Sequence, residues 1–194
     1  MQNQKIAANF KNYVSITSVE IETFFELSER IVFEKNKFVT LAGEGEASFY
    51  LIESGCLMTY VTDDNNSTHV LQFGTDLWWT GDIEAIMNEI PSAQTIKAVE
   101  RTVAYKLTKE KYEKLLSSSY AYERYFRILF QRSLISHQKR IIRNISFTAE
   151  ERYLAFIKQF PTMELLVAQK YIASYLGITP EFLSKLKKQM AKRV

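Results

Sequence analysis

The sequence predicts an α+β protein with a β-rich N-terminal domain, one long helix and a helical C-terminal domain. Three observations predict this fold class. Short apolar or alternating runs follow one another between residues 31 and 107, and a helical period replaces them after residue 108. A short helix, a glycine and a second helix then end the chain. We expect domains at residues 1–118, 119–146 and 147–194.

The first domain begins with short helices over residues 1–30 and continues as strands. Gly, Asn, Asp and Pro separate the apolar runs, and this spacing is typical of an all-β roll, barrel or sandwich. The stretch DDNNS, residues 63–67, predicts a hairpin tip, because Asp and Asn tolerate turn geometry. The predicted strands are FVTLA, FYLIESG, CLMTYVT, THVLQFG, TIKAVE and TVAYKL.

Residues 120–146 predict a helix of roughly seven turns with one apolar stripe. The stripe consists of Phe126, Phe130, Leu134, His137, Ile141 and Ile145, spaced by three or four residues. A helix of this length extends beyond a small β domain. It therefore either lies along that domain or pairs with the same helix of a second chain. Thr148 and Glu151 form a capping box that starts a new helix, which Pro161 ends.

The segment IASYLGITPEFLSKL, residues 172–186, predicts a helix-turn-helix. Gly177 suits the left-handed end of the first helix, and Thr179 can cap the second. Pro180 falls at the first helical position, where a missing N–H does no harm. The residues expected to point inward in the second helix are Leu183, Leu186 and Met190, with Phe182 beside them.

The other face of this second helix carries a polar stripe suited to DNA, which consists of Glu181, Ser184, Lys185 and Lys188. Glu181 could accept a hydrogen bond from cytosine and Lys185 could donate one to guanine, while lysines farther along meet phosphates. Residues 165–194 hold six of the 25 Lys and Arg, Arg193 included, and one of the 22 Asp and Glu. The positive excess therefore lies beside the stripe. A solvated face of a terminal helix, or a solubilising basic tail, would give the same pattern.

Composition narrows the classes of function. The single cysteine, Cys56, excludes an internal disulfide framework and a multi-cysteine metal site. His69 and His137 are too few for a metal enzyme of the cupin type, and GEGE lacks the Lys-Ser/Thr of a P-loop. We therefore expect no enzyme, no metal and no certain cofactor. The N-terminus lacks a signal-peptide core and no apolar run approaches a membrane span, which predicts a cytoplasmic protein without a membrane partner.

A β-roll, a long helix and a helix-turn-helix in this order resemble the Crp/Fnr family of bacterial transcription regulators over nearly the full chain. IASYLGITPEFLSKL is similar to the family's helix-turn-helix, GEGEASFYLIESGCL to its first glycine turn and strand pair, and AEERYLAFI to the segment after its dimer helix. The resemblance implies a jelly-roll (double-stranded β-helix) sensor domain, a homodimer paired through residues 120–146, double-stranded DNA as a partner and RNA polymerase as a further candidate partner. It makes Glu181, Ser184 and Lys185 base readers, with Thr179 and Lys188 as phosphate contacts.

The sequence departs from the family's pattern in three places. The cyclic-nucleotide binders of the family carry Gly-Glu and, about ten residues later, an arginine. Here Gly81-Asp82 matches the first part, but the arginine position falls on Ser92. A buried cyclic phosphate without that bidentate cation is poorly neutralised, so cyclic AMP is not expected. The cysteine cluster of the iron–sulfur branch is absent, and the chain stops at Val194, before the usual C-terminal wing.

Another small effector remains a candidate for the roll, with a site formed by Trp78, Trp79, Gly81, Asp82, Ser92 and Gln94. The adjacent tryptophans could stack on a flat ligand, or they could belong to the core or to an interface. Gly81-Asp82 could equally be a simple turn. We therefore predict a sequence-specific DNA-binding transcription regulator whose β-roll senses an unidentified small effector. The alternative is a dimeric ligand-binding sensor that does not bind DNA.

Overall fold

The structure, a computed structural model, describes residues 2–192, and the side chains of residues 4–192. It confirms the α+β fold class. The elements are, in chain order, α1 (Gln2–Lys11), α2 (Ser18–Leu27), β1 (Glu29–Phe33), β2 (Phe38–Thr40), β3 (Phe49–Ser54), β4 (Leu57–Thr62), β5 (Thr68–Gly74), β6 (Trp79–Thr80), α3 (Ile83–Asn88), β7 (Thr95–Ala98), β8 (Thr102–Leu107), α4 (Lys109–Ser118), α5 (Tyr120–Ser146), α6 (Ala149–Gln159), α7 (Met163–Leu166), α8 (Gln169–Leu176) and α9 (Pro180–Ala191).

The chain divides into two compact units. Unit 1 takes the chain up to Thr59 together with Phe73–Ser133. Unit 2 takes Tyr60–Gln72, which includes the tip of the β4–β5 hairpin, together with the chain from Leu134 onward. The functional division at residues 118 and 146 stays a prediction, since α5 contributes to both units.

The strands form a jelly roll of two four-stranded sheets, in the orders β1-β8-β3-β6 and β2-β7-β4-β5. Strands distant in sequence are neighbours, as in the antiparallel pairing of β1 with β8, where Glu29 lies opposite Lys106. The pairings of β2 with β7 and of β3 with β6 and β8 are antiparallel as well. The roll implied by the family resemblance is confirmed.

Strand β3 is buried on both faces because it lies between two cores. Successive side chains of a strand point to opposite faces. Tyr50 and Ile52 point between the two sheets and pack with residues of β4, β7 and β8. Phe49 and Leu51 point the other way, into an aromatic core formed with α1, α2, α4 and the first turns of α5. The helices around the roll are therefore part of its fold.

Helix α5 is continuous over 27 residues, as the periodicity predicted. Its second half exposes the apolar stripe, with Leu134 at 61%, Ile141 at 58% and Ile145 at 81% exposure. His137 is exposed beside them. An apolar stripe open to water on one chain is what pairing with another helix would cover.

The first half of α5 has a different role, which corrects one prediction. Phe126 was expected in the dimer seam but is 2% exposed. Its ring makes edge contacts with Trp79, at a centroid distance of 5.1 Å, and with Tyr112, at 4.9 Å. Phe130 is partly buried against the same core. The same apolar stripe therefore packs on the chain's own core in its first turns and reaches solvent farther along.

In unit 2, the residues after 147 form helices, as the sequence predicts. The capping box of Thr148 and Glu151 starts α6, with the Thr148 N–H donating to Glu151 at 2.8 Å, and α6 ends at Gln159 before Pro161. The core of this unit consists of Tyr153, Phe156, Phe160, Met163, Ile172, Ala173, Leu176, Leu183 and Leu186. The helix-turn-helix is thus packed on α6 and α7 through apolar side chains.

The β4–β5 hairpin contacts the first helix of the helix-turn-helix. The Ser174 hydroxyl of α8 donates to the Thr68 carbonyl at 2.7 Å and accepts from the Val70 N–H at 2.9 Å. Arg140 of α5 donates to the carbonyls of Val70, Leu71 and Tyr175. Its guanidinium also lies 4.3 Å from the centre of the Tyr175 ring. Because β5 is an edge strand, these contacts satisfy backbone groups that no neighbouring strand can reach.

Candidate functional site

The helix-turn-helix has the predicted turn and cap. Gly177 ends α8 in the left-handed conformation, with φ of 67°, which glycine adopts without steric cost. The Thr179 hydroxyl caps α9 by accepting the Phe182 N–H at 3.2 Å, and Pro180 opens the helix. The Thr179 hydroxyl proton is still available to an external acceptor such as a phosphate oxygen.

The polar stripe of α9 lies on its open face. Glu181, Lys185 and Lys188 are exposed, and Ser184 is half-buried beside them. Leu183 and Leu186 are buried on the opposite side, which fixes the rotation of the helix. The residues predicted to contact DNA are therefore brought together, in the order along the helix that the sequence predicts. Arg193, part of the predicted basic excess, lies outside the described residues.

Another cation of α9 is tied to the chain itself. The Lys187 ammonium donates to Glu164 of α7 at 2.6 Å, and the Tyr153 hydroxyl of α6 donates to the same oxygen at 2.9 Å. Burial alone would raise the pKa of Glu164, but the hydrogen bonds from Lys187 and Tyr153 lower it below its usual value. This network fixes the side of α9 away from the open face, so Lys187 belongs to the support of the helix.

Phe182 corrects a second prediction. It was expected beside the inward residues, but 49% of it is exposed. At about 100° per residue, Phe182 lies about 40° from buried Leu186 and about 60° from exposed Lys185, at the margin of the open face. Its apolar character predicts burial, whereas its place on the helix leaves it at the margin of the open face.

Four of the six predicted effector residues come together where β6 meets α3 and where β7 begins: Gly81, Asp82, Ser92 and Gln94. Asp82 caps α3 by accepting the Ala85 N–H at 3.3 Å. Its other oxygen accepts the Ser92 hydroxyl at 2.9 Å and the Ala93 N–H at 3.1 Å. The Gln94 N–H donates to the Ser92 hydroxyl at 3.0 Å. The position of the family's arginine is therefore taken by a serine that binds Asp82.

Glycine is required at position 81 by close packing. Its φ is 153°, and a Cβ there would lie 2.8 Å from the Ser48 carbonyl oxygen and 3.0 Å from an Ile86 methyl. This approach brings β3 against the start of α3. The Ser48 hydroxyl is buried there and, among the described residues, has no hydrogen-bond partner. A buried hydroxyl left unpaired is uncommon in proteins.

The two tryptophans have surroundings different from those of this cluster. Trp79 is buried in the aromatic core, and its indole N–H donates to the Tyr125 hydroxyl at 3.0 Å. Trp78 is partly buried against the residues between the two sheets. Of the two interpretations left open for Trp79, core packing fits its surroundings, and it drops out of the candidate effector site.

The described residues contain one cysteine and two histidines. Within residues 4–192, no three His, Cys, Asp or Glu side chains converge as a metal site requires. Burial raises the pKa of the Cys56 thiol to about 12, so the thiol stays protonated at neutral pH. His69 is exposed at the hairpin tip, where its Nε2 lies 2.9 Å from an Asp63 oxygen. Over residues 2–192, no helix has the length and apolar character needed to cross a bilayer.

Known proteins share this architecture. The cyclic nucleotide-binding domain family matches residues 30–119. No curated protein sequence matches the chain. Among solved structures, FixK2 from Bradyrhizobium japonicum is 15% identical, with a TM-score of 0.73, and the match covers 86% of this chain and 85% of that one.

Two further structures are similar to the same extent. A crp/fnr-family transcriptional regulator from Eubacterium rectale is 17% identical with a TM-score of 0.73, over 92% of this chain and 85% of that one. The c-di-GMP responsive global regulator CLP of Xanthomonas campestris is 14% identical with a TM-score of 0.72, over 91% and 93% of the two chains. Because these sequence identities are low, the structural similarity shows a shared fold and does not by itself show a shared function.

Proposed function

We propose that this chain, which carries a cyclic nucleotide-binding domain and has the fold of Crp/Fnr regulators, is a sequence-specific DNA-binding transcription regulator. The open face of α9 is the observation that carries the proposal. It presents Glu181, Lys185 and Lys188 together on a helix whose other side is held by apolar packing and by the Lys187–Glu164 pair. A rigid helix with a polar, mainly basic face suits the major groove.

Each residue of the stripe has a separate task. Lys185 donates to guanine and Glu181 accepts from a cytosine amino group, with Ser184 between them as a further reader. Lys188 and the Thr179 hydroxyl contact phosphates, which position the helix without reading sequence. Lys187 is not assigned a DNA contact, because its ammonium is paired with the Glu164 carboxylate.

The regulator acts as a homodimer through the second half of α5. The support is the exposed stripe of Leu134, Ile141 and Ile145, with His137 beside it. In a parallel pair of these helices, a two-fold axis would relate the two α9 helices to each other. Such dimers read half-sites about one DNA turn apart, so a roughly palindromic operator is expected.

The roll senses a small effector at the cluster of Gly81, Asp82, Ser92 and Gln94. The unpaired, buried Ser48 hydroxyl next to this cluster supports a ligand with a hydrogen-bonding group. An anionic phosphate fits poorly, because the Asp82 carboxylate already accepts the local donors. Within the described residues, no Lys or Arg pairs with Asp82 to offset its charge. A neutral or cationic ligand is therefore the better match.

Salt-dependent binding to duplex DNA tests the proposal. We expect the logarithm of the binding constant to fall linearly with the logarithm of salt concentration. Lys188→Ala should weaken binding to all duplexes and reduce the salt slope by about one. Lys185→Ala should cost about 1–3 kcal/mol on the preferred duplex and relax preference at one base pair.

Lys158→Ala is the matched control, because Lys158 is exposed on α6, outside the proposed interface. It should leave both the affinity and the preference unchanged. If wild-type protein binds no duplex, or if Lys185→Ala and Glu181→Ala keep the wild-type preference, the proposal fails. The first of these outcomes would favour the sensor that does not bind DNA.

A further inference from the structure

The exposed aromatic ring of Phe182 is unexplained by the roles assigned so far. Phe182 lies in the first turn of α9, and half of its surface is open to solvent. Its backbone N–H is held by the Thr179 cap, so the position of the residue is fixed by the helix start. Leu183 and Leu186 already fill the buried side of α9. The exposed half of Phe182 therefore lies outside the core of unit 2.

The place of Phe182 on the helix suits contact with bases. In helix-turn-helix proteins, the N-terminal residues of the second helix contact base edges. Phe182 lies in that turn next to Glu181, and Lys185 follows one turn later on the same open face. An apolar side chain beside two polar readers, at the margin of the open face, is suited to an apolar group of the DNA.

The major groove displays one such group. Thymine carries a C5-methyl there, whereas the polar groups on the base edges are hydrogen-bond donors and acceptors. Phenylalanine is among the side chains that make apolar contacts with this methyl. Enclosing a methyl between a phenyl ring and the groove also removes apolar surface from water on both partners.

We propose that Phe182 is a specificity-determining residue that contacts a thymine methyl in the operator half-site. This inference rests on the proposed function, since it assumes that α9 enters the major groove. It adds an A·T pair to the half-site, beside the G·C pairs that Lys185 and Glu181 would read. The chemistry recognised is the 5-methyl of a pyrimidine in duplex DNA.

The test removes only that methyl. A duplex is first enriched from a randomised pool with wild-type protein, and each thymine is then replaced in turn by deoxyuridine, which keeps base pairing but lacks the methyl. At one position in each half-site, the replacement should weaken wild-type binding about fourfold, the effect of about 0.8 kcal/mol for one buried methyl group. All measurements use one salt concentration.

The variants assign the effect to Phe182. Phe182→Ala should bind the thymine and deoxyuridine duplexes equally, whereas Phe182→Leu, which keeps an apolar side chain, should retain part of the difference. Leu165→Ala is the control, because Leu165 is 87% exposed on α7, outside α9. It should show the full wild-type difference.

Two results would overturn the inference alone: no deoxyuridine replacement weakens wild-type binding, or the replacement weakens Phe182→Ala as much as wild type. Either result, obtained with a duplex that wild-type protein binds selectively, leaves the proposed function standing. A pool from which no duplex is enriched would overturn the proposed function and this inference with it. Wild-type data alone decide the first case, so the test does not depend on the folding of the variants.

Discussion

The carboxylate of Asp82 joins two segments of the roll that lie ten residues apart in sequence. One oxygen caps α3, and the other holds Ser92 and the Ala93 N–H. Asp82 is 5% exposed, so solvent competes little for the donors that its carboxylate binds. A single side chain thus fixes the start of α3 and the approach to β7, the two edges of the candidate effector site.

The first prediction concerns this carboxylate. Asp82→Ala should lower the free energy of unfolding by about 1–3 kcal/mol, because buried N–H and hydroxyl donors lose their acceptor. Urea denaturation at neutral pH measures the change. Glu84→Ala, on the exposed side of α3, should stay within about 0.5 kcal/mol of wild type. A loss no larger than that of Glu84→Ala would show that Asp82 does not hold these segments.

At the scale of elements, α9 is anchored on α7 and α6 by a charged network. Lys187 and Tyr153 both donate to one Glu164 oxygen, which connects three helices. The network includes none of the proposed base readers. It holds the helix that presents Glu181 and Lys185, and so its loss should change the position of these proposed readers rather than their chemistry.

The second prediction concerns the pH dependence of this network. The pKa of Glu164 is lowered in the folded protein, so the unfolded chain binds more protons at low pH. The pair therefore stabilises the fold above the unfolded value of about 4.3, and this contribution is lost as pH falls through the lower folded pKa. Glu164→Gln should be less stable than wild type at pH 7, and the gap should close below about pH 4.

Thermal or urea unfolding across pH 3–8 measures that gap. Lys187→Gln breaks the same pair from the other side, so its gap to wild type should narrow over the same pH range. A gap between wild type and Glu164→Gln that stays constant down to pH 3 would show that the ion pair does not stabilise the fold.

For the whole molecule, the third prediction concerns assembly. Ile141→Glu places a charge in the exposed stripe of α5, where pairing would bury it, and burying an unpaired charge is costly. The variant should be monomeric at concentrations where wild type is dimeric, as measured by sedimentation. Its affinity for the enriched duplex should fall as well, because a monomer contacts only one of the two half-sites.

Ser136→Glu is the matched control for this variant. Ser136 is also exposed, but it lies about 140° around α5 from Ile141. The control should remain dimeric. If Ile141→Glu sediments like wild type, the stripe is not the seam between two chains.

Periodicity and caps predicted the elements well where a pattern extends over several turns. The bounds of α5 match the predicted 120–146, and the cap at Thr148 and the turn at Gly177 are where the sequence indicated them. Strand β6 has only two residues, too few for any period to be visible. Helix α3, at six residues, is similarly short and was taken for part of the strand region.

The sequence predicts which residues belong to the candidate sites, but it does not predict which contacts those residues make. The stripe of α9 follows from helical spacing, and it lies on an open face. Spacing predicts Phe126 in the dimer stripe and apolar character predicts Phe182 beside the inward residues, yet Phe126 is buried in the chain's own core and Phe182 is half exposed. Spacing tells which residues share a face, whereas what covers that face depends on partners elsewhere in the chain. The hydrogen bond between Asp82 and Ser92 likewise could not be predicted from the sequence, because neither residue type indicates which partner it will bind.

The contact between Ser174 and the β4–β5 hairpin has a consequence for how unit 2 assembles. Ser174 and Val70 are 104 residues apart in sequence, so the unit cannot form from a continuous stretch of chain. During synthesis, the hairpin exists long before α8 does, and its outer edge stays open until then. Closing so long a loop is entropically costly and slow compared with helix formation. In the folded protein, the Val70 amide is protected by Ser174 of α8, which is synthesised about a hundred residues later. Hydrogen exchange at this amide would therefore report on the docking of α8.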